Sequence, residues 1–261
     1  MSSQVAVVIP ARYASSRFPG KPLALLAGKP MICHVCEKAA ASSADTVIVA
    51  TDDQRIFDTV EAAGFKAAMT RSDHPSGTDR IYEAICSTDA EIIINVQGDE
   101  PLIPSSVIDE LIGLMKKYPE LDMATVAVPA VRENMTENNV KVVFGNDNMA
   151  LYFSRAPIPF LRSGGVEAPM WLHWGIYAYR RTALEKFVSL PPGSLENCEK
   201  LEQLRALENG MKIYVLTSNL SSIGVDTPED LEKAEAKITE SMKGTQSQLQ
   251  IISLSATANS H

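Results

Sequence analysis

VAVVIPARYASSRFPGKPL, residues 5–23, joins an unbroken apolar run to a loop that carries three cations, Arg12, Arg17 and Lys21. An apolar run without polar alternation, such as residues 5–9, suits a central strand of a parallel sheet whose two faces are both covered. The chain leaves that strand at its carboxyl end, which is where open α/β sheets bind ligands. Three like charges so close together repel one another unless an anion lies between them. The loop therefore reads as a polyanion site, with a triphosphate as its natural occupant. It contains neither GxxxxGK[ST] nor GxGxxG, so backbone amides and spaced guanidinium and ammonium groups have to make the grip.

Outward from this stretch, strand-like and helix-like segments alternate, as in a parallel sheet with crossover helices. Strands are expected at 46–51, 65–69, 91–96 and 123–128, and helices at 31–42, 54–63, 78–87 and 104–118. From residue 141 the spacing shortens: 141–144 and 150–153 read as short strands, and Ser163, Gly164, Gly165 and Pro169 mark a loop. This part is expected to be an antiparallel extension. A strand at 174–179, helices at 181–189 and 195–208, and a late strand at 212–216 follow. The final helix, 227–242, opens on TPED, which supplies an N-cap, a first-turn proline and carboxylates at the positive end of the dipole.

The expected fold class is thus α/β, with a mainly parallel central sheet, crossover helices and a smaller antiparallel extension. A single domain spans 1–242, its anion-binding part mainly 1–130 and its second part mainly 131–210, and 243–261 is a tail rich in Gln, Ser, Thr and Asn. At 261 residues, 45% hydrophobic, the chain is long enough for one large core. With 32 acidic against 24 basic residues, its main partner is not expected to be nucleic acid. Cys33 and Cys36 form one CxxC inside an apolar helical run, with no second pair at zinc spacing. No leader pattern and no 18-residue apolar stretch occurs, so a cytoplasmic protein with reduced thiols and no membrane insertion is expected.

The most apolar strand, EIIINV, ends in Gln97, Gly98, Asp99, Glu100 and Pro101. Two adjacent carboxylates there fit either a capped turn or a hard-cation site, since magnesium bound to a triphosphate takes one or two carboxylates and completes its shell with phosphate and water. GVDTP offers a second candidate, Asp226, which equally fits a residue leading into the last helix. HPSGTDR, 74–80, is a polar loop opening a helix, where Ser76 and Thr78 are candidates to contact a base or ribose and Gly77 permits close approach. A later group, Arg155, His173, Tyr177, Tyr179, Glu202, Gln203 and Arg205, falls where a second substrate would be covered. Within it, Glu202 and Arg205 also fit an i,i+3 surface pair.

Taken together and in order, ARYASSRFPGKPL (11–23), HPSGTDR (74–80), NVQGDEP (95–101), ALYFSRAPIP (150–159), HWGIYAYR (173–180), LEQLRALENG (201–210) and GVDTPEDLE (224–232) resemble the bacterial 3-deoxy-manno-octulosonate cytidylyltransferases. The resemblance implies a GT-A-like nucleotidyltransferase, magnesium-dependent and homodimeric, that moves CMP from CTP to the anomeric 2-hydroxyl of an eight-carbon acidic sugar for lipopolysaccharide synthesis. Carried over by motif, Ala11, Arg12, Arg17 and Lys21 would grip the triphosphate, and Arg71, Ser76, Gly77 and Thr78 would contact cytidine. Asp99 and Asp226 would hold the metal. Lys21, Arg17, Asp99 and Asp226 would serve catalysis. Gln97, Arg155, His173, Tyr177, Glu202 and Gln203 would form the sugar site, the planar fork of Arg155 suiting a carboxylate.

The chain departs from the family pattern where Leu172 stands for a basic residue, Trp174 for a smaller aliphatic one, Asn197 for a histidine, and Ser222-Ile223 for glycine-threonine. These changes are expected around the sugar half. Loss of a positive charge there suits an ammonium-bearing acceptor, the 8-amino-8-deoxy analogue, beside the unmodified sugar. Rival readings are a cytidylyltransferase for another acidic sugar, such as a sialic acid, which shares part of the SRFPGK loop, and a nucleotide-sensing module without turnover.

Overall fold

The computed structural model describes residues 4–14, 18–220 and 222–240. In chain order β1 (Val5–Ala11), the two-residue strands β2 (Leu25–Leu26) and β3 (Lys29–Pro30), α1 (Met31–Ala40), β4 (Thr46–Thr51), α2 (Gln54–Ala62), β5 (Lys66–Met69), α3 (Gly77–Ile85), β6 (Ile92–Asn95) and α4 (Ser105–Lys117) build the first half. The second half holds β7 (Met123–Ala130), β8 (Lys141–Phe144), β9 (Ala150–Ser154), β10 (Met170–Arg180), α5 (Arg181–Ser189), α6 (Ser194–Glu199), α7 (Leu204–Glu208) and β11 (Ile213–Thr217). A last helix, α8, covers 228–240. The expected tail, 243–261, lies outside the described residues. Among the described residues no helix is long and apolar enough to cross a membrane.

One sheet runs in the order β11-β7-β10-β6-β1-β4-β5, with β8 and β9 branching from β10. The pairs β6/β1, β1/β4, β4/β5 and β11/β7 are parallel, whereas β10 lies antiparallel between β6 and β7. The apolar run of β1 is buried on both faces, as its composition requires. Val5, Val7 and Ile9 face α1, α2 and α4, while Ala6 and Val8 face the side packed by α3 and α5. All five are fully buried. Leu26, Met31, Val225 and Ala234 form a small third cluster that fastens α8 to the β2-β3 hairpin. The expected N-cap of α8 is present in reciprocal form: the Thr227 hydroxyl accepts from the Asp230 amide, and Asp230 accepts from the Thr227 amide.

The continuous helix expected over 195–208 is two short helices. α6 stops because Lys200 adopts the left-handed conformation (φ 54°), and the Leu201 amide turns back onto the Glu196 carbonyl. Leu201 and Leu204, on either side of this turn, both enter the core. Nor are Glu202 and Arg205 a surface pair. Arg205 is 5% exposed and binds Glu196 through two hydrogen bonds of 2.6 and 2.8 Å, with Glu202 at the outer limit of ion pairing, 4.0 Å away.

Candidate functional site

Parallel pairing of β1 with β6 brings the loops that follow them to the same edge of the sheet. Between those loops and the start of α3 lies a cavity of about 340 Å³. Ala11, Arg12 and Lys21 line it from the first loop, Gln97 and Asp99 from the second, and Ser76 and Gly77 from the third, with Asp226 closing it from before α8. Arg17 lies outside the described residues. Gly20 turns the first loop in the left-handed region (φ +73°), its amide bonded to the Tyr13 carbonyl, so that Lys21 points back into the cavity. Gly98 fits for a different reason: a Cβ there would stand 2.9 Å from the Pro10 carbonyl oxygen, so only glycine lets the two loops approach this closely.

Lys21 Nζ lies 2.8 Å from Asp99 Oδ2 and 3.2 Å from Asp226 Oδ1. The two loops are also tied through backbone, the Val225 amide donating to the Asp99 carbonyl. The two carboxylates, 127 positions apart in sequence (99 to 226), thus converge on one positive charge. Next to them Glu100 is enclosed, and its Oε2 is buried without a hydrogen-bond partner among the described residues. Burial, together with the charge of Asp99, pushes its carboxyl up to about 7, against the pull of Ser222 and Trp174. Two of the expected sugar-half departures, Trp174 and Ser222, therefore sit beside the acidic loop. Asn197 is exposed and donates to the Gly193 carbonyl within α6.

Ser76 is the N-cap of α3, accepting from the amides of Thr78 and Asp79. Thr78 is buried and donates to Glu202 Oε2 at 2.8 Å, which links the cavity loop to the second group of residues. Burial raises the Glu202 carboxyl, against hydrogen bonds from Ser76 and Thr78. His173 lies edge-on to Phe153 (4.9 Å between ring centres) and against Tyr177 (5.4 Å), and desolvation lowers its imidazole to about 3. Gln203 is buried at the start of α7. Arg155 stands apart, its guanidinium committed to the carbonyls of Glu199 (2.8 Å), Glu137 (3.2 Å) and Lys200 (3.5 Å). Arg71 is exposed, does not line the cavity, and pairs with Asp73 at 2.7 Å.

Sequence reasoning passed over His74 and Arg80, both of which line the cavity. Arg80 is buried and bound to Thr70 (2.6 Å) and Asp52 (2.9 Å), and His74 contacts Glu83. Their position inside HPSGTDR was the available signal. The CxxC cysteines are free and buried on the core face of α1, where burial pushes the Cys36 thiol up to about 12 and leaves it unreactive.

A mainly parallel sheet, with a cavity at its carboxyl edge holding spaced cations and two converging carboxylates, defines an α/β protein of the nucleotide-handling class. The family model described as cytidylyltransferase matches residues 6–213. The chain is 52% identical over 244 residues to a 3-deoxy-manno-octulosonate cytidylyltransferase of Thermodesulfovibrio yellowstonii, covering 87% of this chain and 95% of the relative. It is also 52% identical over 241 residues to an 8-amino-3,8-dideoxy-manno-octulosonate cytidylyltransferase of Shewanella halifaxensis, covering 90% and 98%. Among solved structures, a CMP:2-keto-3-deoxy-manno-octonic acid synthetase complexed with CTP superposes with a TM-score of 0.88 at 45% identity, over 92% of this chain and all of the other. The chain belongs to the cytidylyltransferase family, in its octulosonate branch.

Proposed function

We propose that the protein transfers CMP from CTP to the anomeric 2-hydroxyl of a 3-deoxy-octulosonate, releasing pyrophosphate. The observation that carries this reading is the placement of Lys21 between Asp99 and Asp226 at the carboxyl ends of β1 and β6, in a chain so similar to octulosonate cytidylyltransferases. Arg12 and Lys21 would neutralise the phosphates, Lys21 following the charge that builds on the leaving pyrophosphate. Ser76 and Gly77, which line the cavity at the head of α3, would meet the nucleoside, with Thr78 buried behind them on Glu202. Glu202, held by Thr78, would connect nucleotide and sugar, and His173, Tyr177, Gln97 and Gln203 would position the acceptor hydroxyl for in-line attack on the α-phosphorus.

Asp99 and Asp226 would hold magnesium. They fit it because their hard oxygens already converge on a cation, the Lys21 ammonium, and because two carboxylates suit an ion whose other ligands are phosphate and water. When bound, the ion would supply neutralisation of phosphate charge and alignment of the triphosphate. Arg155 would meet a sugar carboxylate with the N–H groups that its three backbone carbonyls leave over. A homodimer is supported by the exposed apolar side chains of Leu151, Phe160 and Val166 around the antiparallel extension. Cytoplasmic location is supported by the four free cysteines.

Relatives named for the unmodified and the 8-amino sugar match at equal identity, so both acceptors belong to the reading. Pyrophosphate release from CTP, measured with each octulosonate, with magnesium and with chelator, tests it. Release that needs both sugar and magnesium supports the proposal, and release with neither sugar overturns it. The ratio of kcat/KM for the two sugars names the acceptor.

A further inference from the structure

The register between β10 and β7 slips after Trp174. His173 pairs with Ala127 and Trp174 with Val126, yet the next pair is Tyr177 with Thr125, so Gly175 and Ile176 are extra residues on β10. A bulge of this kind leaves carbonyls without ladder partners. The fully buried Thr125 hydroxyl occupies the gap, 2.8 Å from the Ile176 carbonyl oxygen and 3.4 Å from that of Trp174. The same oxygen is 2.9 Å from His173 Nε2.

A hydroxyl has one proton to give. A carbonyl oxygen at 2.8 Å is a hydrogen-bond neighbour only if that proton lies between the two oxygens. Thr125 then has only lone pairs for the imidazole, so Nε2 must carry the hydrogen, and in the neutral ring Nδ1 is bare. No other group among the described residues bonds to the His173 ring nitrogens, while Phe153 and Tyr177 pack against the ring.

We infer that Thr125 is a positioning residue that locks His173 as the Nε2-H tautomer, so that Nδ1 presents a fixed acceptor to a hydroxyl or ammonium of the acceptor sugar and not a donor to its carboxylate. The inference rests on the placement of His173 at the sugar in the proposed function. It also gives the bulge a purpose: the irregularity that frees the Ile176 carbonyl is what orients the hydroxyl toward the histidine.

Nitrogen-detected NMR of the histidine side chains in the ligand-free protein, with His173 assigned by difference from His173→Gln, reads the tautomer directly. The expected result is a protonated Nε2 with an unprotonated Nδ1. In Thr125→Val that signature becomes a mixture, and KM for the octulosonate rises roughly tenfold, the usual scale for one lost hydrogen bond, while KM for CTP stays within twofold. Thr125→Ser restores both. A protonated Nδ1 in the unaltered protein, or an unchanged signature in Thr125→Val, overturns the lock. A changed signature with no change in sugar KM overturns the role in recognition. If neither octulosonate is turned over, the proposed function fails, while the tautomer measurement still decides the Thr125-His173 pair. If Thr125→Val does not fold, the unaltered protein and Thr125→Ser carry the test, an Nδ1-protonated tautomer in either overturning the lock.

Discussion

The two halves of the site use polar groups in opposite ways. At the carboxyl edge of β1 and β6, Arg12 is exposed, and Lys21 and the two carboxylates, paired with one another, line an open cavity. Around β8 to β10 the polar groups are spent on the protein itself. Lys141 is fully buried and donates to the carbonyls of Thr136, Asn139 and Arg155. Arg155 and Arg205 are likewise committed, and His173 is bound to Thr125. A triphosphate carries enough charge to attract both an exposed cation, Arg12, and one already paired with carboxylates, Lys21. A sugar carries little, so recognition of it depends on groups whose orientation is fixed beforehand.

The contrast breaks most visibly at Asp99. Asp99→Asn should lower kcat by about a thousandfold, since one of two converging carboxylates is lost where charge must be balanced, while the thermal transition stays near that of the unaltered protein; near-normal turnover removes Asp99 from the chemistry. Lys141→Met is the counterpart in the other half, and strands three carbonyls. It should reduce unfolding free energy by about 2–5 kcal/mol in a denaturant titration, with sugar KM rising and CTP KM steady. Gly98→Ala tests the close approach of the two loops. The new Cβ meets the Pro10 carbonyl, so KM for CTP should rise roughly tenfold, about 1.4 kcal/mol, with sugar KM little changed.

A smaller effect should appear in the pH dependence of stability. The folded-state value of His173 is lowered from 6.5 to about 3 by burial. Between those values the unfolded chain binds the extra proton, so this residue's contribution is complete above 6.5 and is lost as pH falls toward 3. The slope has an upper limit of about 1.4 kcal/mol per pH unit. His173→Gln should flatten the dependence of unfolding free energy on pH in that window; an unchanged slope means the imidazole titrates normally in the fold. The least effect is expected from Arg71→Ala. Its exposed ion pair with Asp73 contributes little, and KM for CTP should move by less than about twofold; a larger rise would show that Arg71 swings onto the nucleotide.

Much of the first half was legible in the sequence. The apolar runs that mark β1, β4 and β6 are a property of local stretches, and ligand entry at the strand ends follows from parallel pairing. Asp99 and Asp226 were each ambiguous alone. What joined them was the Asp99 carbonyl to Val225 amide bond and the shared ammonium of Lys21, neither of which has a sequence signature. The second half was harder to read because its elements are set by irregularities. The left-handed Lys200 that splits 195–208 and the bulge after Trp174 both depend on which side chains a neighbouring element can bury. Arg155, an obvious ligand by residue type, is turned onto the carbonyls of Glu137, Glu199 and Lys200, which only the tertiary fold brings near.

By itself the sequence determined the class of fold, the edge of the sheet where a ligand enters, and the polyanionic character of that ligand, because apolar periodicity and charge density are written residue by residue. The tertiary structure alone decided which distant carboxylates share a cation, which arginines are already committed, and how the imidazole of His173 is oriented. Those outcomes depend on contacts between segments far apart in the chain, and hydrogen-bond direction is fixed only when both partners are in place.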